Sequence, residues 1–307
     1  MNGLLLGVLP VFALIAIGYG LKKSHFLPDE TWRPIEKLSI NLLYPGFLIP
    51  AIWDADLSGD SAGAAGAAAV TAVIIVGGVL LAARPLLKID GPAFTSVFQG
   101  SIRWNSFVFL PVIQVAFGAE GLALAAVMIA CIIPVTNIAC VAVLARWGAD
   151  QKGVSPVALA QAMLANPILV ACLIGLALNL LKVPPVPGIY ETLKLIGSAA
   201  LPLGLIVAGA GLSFAEVARR KWTIAGVTLV KLGVMPPLMW GLCILYGGDE
   251  LAQATALLCG AAPGAAAAYL LARQMGGDAP LMAGIVALTT VLSALSIPIL
   301  LALFHMA

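Results

Sequence analysis

Long apolar runs, separated by short charged or Gly- and Pro-rich segments, dominate the pattern of the chain. An apolar run of about 20 residues is long enough to cross the hydrocarbon core of a bilayer as a helix. The pattern predicts ten such spans, joined by short connections that contain no soluble domain. Spans 1–5 cover residues 4–21, 35–53, 62–83, 94–117 and 122–145, and spans 6–10 cover 157–181, 190–212, 222–246, 251–275 and 281–304.

The composition agrees with an all-α polytopic membrane protein. The chain has 62% hydrophobic and 10% charged residues, with a mean hydropathy of +1.07, whereas a soluble domain is about 25% charged. The first run is long enough to be a span and not a signal peptide. A net charge of +2 gives no indication of a nucleic-acid partner. The five cysteines lie in apolar segments without paired spacing, which favours packing roles over disulfides or metal ligation.

The distribution of Lys and Arg predicts the orientation, because cytoplasmic loops carry an excess of these residues. With the N-terminus outside, the cytoplasmic ends hold Lys22, Lys23, Arg33, Lys37, Arg84, Lys88, Arg146, Lys152, Arg219, Arg220, Lys221 and Arg273. The outer ends then hold only Lys182 and Lys194, and the external segments 54–60 and 247–250 are acidic. We therefore expect both termini to be external.

The prolines indicate an internal repeat. At an offset of 157 residues the matches include Pro10 with Pro167, Pro28 with Pro185 and Pro45 with Pro202. The repeats would be residues 1–150 and 151–307, within a single transmembrane domain. Because each holds five spans, an odd number, the two copies must have opposite orientations in the membrane. Inverted repeats of this kind build secondary transporters, whose substrate sites lie near the midplane where helices are broken.

Two of the spans are predicted to be broken at membrane depth. The polar residues of "GSIRWNSFVFLP" (100–111) interrupt span 4, and an offset of 158 pairs Asn105 with Pro263 in the "GAAPGAAAAY" of span 9 (260–269). Asn105 or Ser106 would cap a second half-helix, while Pro263 would lie in the first turn of another, with Gly264 allowing close approach. Two such N-termini, together with the charge of Arg103, favour binding of an anion. Arg103 could instead bind the carbonyls of the broken backbone.

Four other residues are candidates for the wall of the site. Lys231 lies within span 8, where snorkelling to the cytoplasmic face is an equal alternative. Asn41, Tyr44 and Asn137 could line the site or form hydrogen bonds between helices. All 14 Asp and Glu residues fall at predicted span ends or in loops, which disfavours a cation carrier and a membrane hydrolase. We expect no enzyme, no cofactor and no metal site.

Several segments resemble bacterial members of the auxin efflux carrier family. The resemblance covers nearly the whole chain and is carried by "FQGSIRWNSF" (98–107), "NPILVACLIGLALN" (166–179), "AALPLGLIVAGAGL" (199–212), "KLGVMPPL" (231–238) and "LARQMGGDAPLMAGIVALTTVLS" (271–293). It implies ten helices in two inverted repeats, as in bile-acid symporters and sodium/proton antiporters, with broken spans 4 and 9 crossing each other. Spans 1, 2, 6 and 7 would form a scaffold and homodimer interface, and spans 3–5 and 8–10 a moving transport part.

The same resemblance implies transport of organic anions such as auxins or malonate. Plant members carry a Pro-Asn motif in the fourth helix. Here Asn105 matches the asparagine, Trp104 replaces the proline, and Pro263 keeps the proline of the ninth helix. We expect an alternating-access carrier of a small organic anion, with an elevator-like movement, in a bacterial inner membrane. The alternatives are a sodium-coupled symporter of bile-acid type and an anion-binding membrane sensor. The sequence leaves proton or sodium coupling open.

Overall fold

The computed structural model describes residues 2–55, 61–149 and 166–304, and within them every regular element is helical. The fourteen α-helices of the described chain are α1 (Asn2–Lys23), α2 (Trp32–Leu38), α3 (Tyr44–Trp53), α4 (Ser61–Ala83), α5 (Gly91–Ile102), α6 (Ser106–Trp147), α7 (Pro167–Leu180), α8 (Ile189–Gly197), α9 (Ala200–Ala210), α10 (Lys221–Leu229), α11 (Met235–Leu245), α12 (Glu250–Ala261), α13 (Ala267–Gln274) and α14 (Ala279–Phe304).

The length and apolar character of these helices identify a multi-pass membrane protein. Five described stretches are long and apolar enough to cross a bilayer: Ser61–Leu86, Gly91–Trp147, Ile189–Ala210, Lys221–Leu245 and Ala279–Phe304. Helix α7 is a shorter apolar helix. The beginning of predicted span 6 lies outside the described residues. The number of ten spans stays a prediction.

Several helices continue through local irregularities. A π-helical turn, Ser39–Leu43, joins α2 to α3, and a second one, Val230–Val234, joins α10 to α11. Gly118 interrupts α6 with φ 61° and ψ −147°, a conformation that glycine adopts readily because it has no Cβ. This interruption falls between predicted spans 4 and 5. Helix α6 therefore contains the second half of span 4 and all of span 5.

Helices α5 and α12 have the same local design. Each has 12 residues and begins after an aspartate whose side chain caps it, since Asp90 accepts from the Ala93 N–H and Asp249 from the Ala252 N–H, both at 2.8 Å. Each also ends at an extended break, α5 before Arg103 and α12 before Ala262. The matching lengths, caps and ends agree with the pairing of spans 4 and 9.

Glycines let two helix pairs pack with their backbones close together. A Cβ on Gly18 of α1 would overlap the Ile206 carbonyl of α9, and a Cβ on Gly209 of α9 would overlap the Ile15 carbonyl of α1. Gly175 of α7 similarly faces Ile52 of α3. Small residues at such interfaces are typical of packing inside membranes, where close approach of backbones replaces the hydrophobic driving force.

Polar contacts join the ends of different helices. The Trp53 Nε1–H donates to the Val183 carbonyl at 2.7 Å, and Arg220 forms an ion pair with Asp278 at 3.0 Å. Each contact joins two segments that the charge pattern places on the same side of the membrane. Outside the spans, the Lys22 ammonium, 2.7 Å from Asp29, lowers the pKa of that carboxyl.

Candidate anion-binding cavity

A cavity of about 110 Å³ opens between the two broken segments and three further helical segments. Its walls come from α2 and the π-helical turn after it, the break before α6, the second half of α6, the start of α7 and the start of α13. Isoleucines, alanines, Trp104 and Phe107 supply the apolar part. The polar side chains of the lining are Glu36, Arg103, Asn105, Ser106, Thr136, Asn137 and Asn166.

The break before α6 presents Arg103 and Asn105. Arg103 and Asn105 have extended backbone angles, and Asn105 caps α6 because its Oδ1 accepts from the Phe107 N–H at 2.9 Å. Asn105 is thus at one of the two capping positions that the sequence predicted. Its own N–H donates to the Pro263 carbonyl at 2.8 Å, which joins the two broken segments directly.

The break before α13 is longer than the sequence suggested. Helix α13 begins at Ala267, four residues after Pro263, so the prediction that Pro263 lies in the first turn of this helix is wrong. The cause is hydrogen bonding: the Pro263 carbonyl accepts from Asn105, and the Gly264 N–H donates to Thr289 Oγ1 at 3.0 Å. These bonds hold both residues in the break, outside the cavity lining, and Ala265 and Ala267 reach the cavity instead.

A third helix N-terminus meets the same cavity. Asn166 caps α7, since its Oδ1 accepts from the N–H groups of Ile168 and Leu169 at 3.1 and 3.2 Å, and Pro167 occupies the first turn. Both Asn166 and Ile168 line the cavity. The N-termini of α6, α7 and α13 therefore surround one small space, and each carries a partial positive charge.

Arg103 adds a full positive charge to the partial positive charges of the three helix N-termini. It is half-buried, and its buried Nη1 has no hydrogen-bond partner among the described residues. The guanidinium also lies within interaction range of the Cys140 thiol. In addition, the N–H groups of Ala265, Ala266 and Ala267 donate to no described acceptor. An anion that entered the cavity would find unoccupied donors of both kinds.

The structure places the other predicted site residues in different surroundings. Asn137 is half-buried in the cavity wall. Lys231 is fully buried outside the cavity lining, and its Nζ donates to the Gly260 carbonyl at the end of α12, 3.0 Å away. Tyr44 is fully buried against the ring of Phe107, with the ring centroids 5.0 Å apart. Asn41 is exposed and donates to the Lys37 carbonyl at 2.7 Å.

Sequence reasoning missed Glu36, Thr136 and Asn166. The sequence pattern places Glu36 at a span end, where a solvated carboxylate is the ordinary expectation. The Asn-Pro pair at 166–167 did carry a signal, because Asn followed by Pro is a typical start of a helix. This pair lies inside the apolar run of predicted span 6, so the hydrophobic pattern predicts a continuous span there. Among the described residues, no group of three or more His, Cys, Asp or Glu could hold a metal ion.

The capping role of Asn166 predicts a loss of stability when it is removed. We expect Asn166→Ala to lower the free energy of unfolding by about 1 kcal/mol, because two N–H groups at the start of α7 lose their acceptor. Denaturant unfolding of the purified protein in detergent measures this change. Asn166→Ser should retain most of the stability, because serine caps helices about as well as asparagine. Equal losses in both variants would contradict the capping role.

Comparison with known proteins points to transport. The protein-family profile described as "Membrane transport protein" matches residues 155–301. A curated relative, an "Uncharacterized transporter" of Methanothermobacter thermautotrophicus, is 25% identical over 303 residues, which cover 95% of each chain. At this coverage the relative corresponds to both halves of the chain.

Proposed function

We propose that this chain is a transporter of the auxin efflux carrier family and that it carries a small organic anion across the membrane by alternating access. The family and the relative identify a transporter and not an enzyme. The proposed substrate is a carboxylate small enough for a cavity of about 110 Å³. The proposed location is a bacterial inner membrane, with both termini external as the Lys and Arg distribution indicates.

The observation that carries this proposal is the convergence of positive potential on one cavity. Three helix N-termini and Arg103 border it, and the described residues leave the Arg103 Nη1 and three backbone N–H groups without acceptors. Each helix N-terminus favours a negative charge by about 0.3–1 kcal/mol, and the guanidinium can bind a carboxylate through two parallel hydrogen bonds. The donors are fixed by the fold before any ligand arrives, so little ordering is required on binding.

Helix packing supports the alternating-access part of the proposal. In an inverted repeat, span 1 corresponds to span 6, and span 2 corresponds to span 7. If span 1 packs against span 7 in such a repeat, span 6 must therefore pack against span 2. The described structure contains both contacts, as α1 with α9 and α3 with α7, each made through a glycine. We propose that these spans form the scaffold and the homodimer interface, and that spans 3–5 and 8–10 form a part that moves like an elevator.

Counterflow in proteoliposomes tests this function. Vesicles loaded with an unlabelled C2–C4 carboxylate should take up the labelled compound transiently above its external concentration, because a carrier exchanges substrate at one alternating site. Uptake should saturate, and a panel of carboxylates should compete for it. Empty vesicles and vesicles with denatured protein provide the baseline.

The outcomes separate the proposed carrier from its rivals. Saturable binding of carboxylates without any exchange would favour the membrane sensor. Exchange that requires external sodium would favour a sodium-coupled symporter of bile-acid type. If no carboxylate in the panel binds or exchanges, the proposed substrate class is wrong.

A further inference from the structure

The anion-binding cavity contains a negative side chain that its proposed role does not use. Glu36 lines the cavity from α2, one helical turn before Ile40, which also lines it. The side chain is half-buried, and it forms no ion pair or hydrogen bond with any residue that the structure describes. A carboxylate in a site built for anions opposes the binding of any substrate that comes close to it.

Glu36 and Arg103 share the cavity without forming a salt bridge. Within the described chain, neither side chain takes part in an ion pair, so the carboxylate and the guanidinium lie more than 4.0 Å apart. They come from different elements, Glu36 from α2 and Arg103 from the break before α6, and the cavity is shared between them. The charged group nearest to Glu36 in sequence on the same helix face is Arg33, which is exposed. Arg33 attracts Glu36 electrostatically without forming an ion pair, so no described residue neutralises either cavity charge by direct contact.

The two charges require different chemistry from a ligand. The Arg103 guanidinium only donates hydrogen bonds, so it matches a carboxylate. An ionised Glu36 only accepts hydrogen bonds, so it matches an N–H or O–H group and repels a second carboxylate. Since a water needs about 10–15 Å³, a cavity of about 110 Å³ holds a ligand of about seven to eleven heavy atoms. A second carboxylate on so small a ligand could not stay far from Glu36.

We infer that Glu36 determines which organic anions the cavity accepts, an inference that rests on the proposed function. The accepted ligands carry one carboxylate, which binds Arg103 and the helix N-termini, and a hydrogen-bond donor at the opposite end, which binds Glu36. Small dicarboxylates are rejected, because their second negative charge meets the Glu36 carboxylate. Specificity of this kind arises in two ways: the site repels a competing ligand, here a dicarboxylate, and it makes favourable contacts with the accepted ligand.

A matched pair of ligands tests the inference. Malonate and its monoamide, malonamate, have the same number of heavy atoms, but the amide replaces one carboxylate by an uncharged group that donates hydrogen bonds. Calorimetry on the purified protein in detergent, at a pH at which malonate is a dianion, gives both dissociation constants. We expect the parent protein to bind malonamate at least about tenfold more tightly than malonate.

Removal of the charge should remove the preference. In Glu36→Gln we expect the two dissociation constants to lie within about threefold of each other, mainly because malonate binds more tightly. Glu30→Gln is the control, since Glu30 is exposed, lies outside the cavity lining and changes the net charge of the protein by the same amount. It should keep the tenfold preference. If Glu36→Gln does not elute as a folded protein, Glu36→Ala replaces it, because it removes the same charge.

The possible results separate this inference from the proposed function. If the parent protein binds malonate as tightly as malonamate, or if removal of the Glu36 charge leaves the preference unchanged, the role of Glu36 is refuted while anion binding stands. If the parent protein binds neither ligand and no carboxylate exchanges in vesicles, the proposed function fails and the inference fails with it. A loss of preference in Glu30→Gln as well would show a general charge effect and would also overturn the inference.

Discussion

Arg103→Gln is expected to weaken carboxylate binding at least about 100-fold and to abolish exchange in proteoliposomes. A hydrogen bond to a charged group contributes about 1.5–3 kcal/mol, and 2.7 kcal/mol corresponds to a factor of about 100 in affinity. The Nη1 of Arg103 is buried without a described hydrogen-bond partner, and Arg103 lines the cavity. Glutamine keeps a polar side chain of intermediate length but lacks the charge and the guanidinium fork. Calorimetry and counterflow on the same preparation measure binding and exchange.

Two further variants distinguish a ligand contact from a structural role. Arg103→Lys should retain part of the affinity, because it keeps the charge and loses only the bidentate geometry. Arg146→Gln serves as the charge control, since Arg146 is exposed and lies outside the cavity lining. If Arg103→Gln unfolds at lower denaturant but binds carboxylates as well as the parent protein, Arg103 holds the broken backbone and is not a substrate ligand.

Gly18→Leu is expected to prevent correct folding. The α-carbon of Gly18 faces the backbone of α9, where even a Cβ would overlap the Ile206 carbonyl. A backbone carbonyl cannot rotate away as a side chain can, so helices α1 and α9 must separate. Overpacking of a close contact destabilises by about 1–3 kcal/mol when neighbours can adjust, and we expect at least the upper limit here. The yield of monodisperse protein and its denaturant midpoint measure the loss.

Gly20→Leu is the matched control in the same helix. A Cβ at Gly20 would meet no atom of a neighbouring helix within 4 Å, so this position has room for a side chain. We expect this variant to fold with nearly parental yield. If Gly18→Leu folds as well as Gly20→Leu, the close packing of α1 against α9 through Gly18 and Gly209 is incorrect.

Much of the broken segment before α6 could be predicted from the sequence. Arg103, Asn105 and Ser106 stand out because polar residues are rare within apolar runs, and an asparagine before a helix is a common cap. The repeat offset then located the second break near Pro263. These signals are local or periodic, so they can be read without knowing which helices meet.

The remaining features depend on tertiary contacts that no local pattern encodes. The start of α13 at Ala267 follows from the bond between the Gly264 N–H and Thr289, a residue 25 positions away. Ala265 and Ala267 border the cavity, yet alanine has no polar side chain that could have indicated this. Glu36 belongs to the site because the end of its helix faces the two breaks, whereas in the sequence it resembles an ordinary charged residue at the end of a span.

The hydrogen bond between the Asn105 N–H and the Pro263 carbonyl has a mechanical consequence. A movement that parted the two breaks would leave a donor and an acceptor unpaired in an environment with little water, at several kcal/mol. We therefore expect both breaks to travel together as one rigid piece. Glu36 and Asn166 come from α2 and α7, outside that piece, so the cavity would lie on the sliding boundary between the moving and the stationary parts. Each displacement of the moving part would therefore change which walls of the cavity contact a bound ligand.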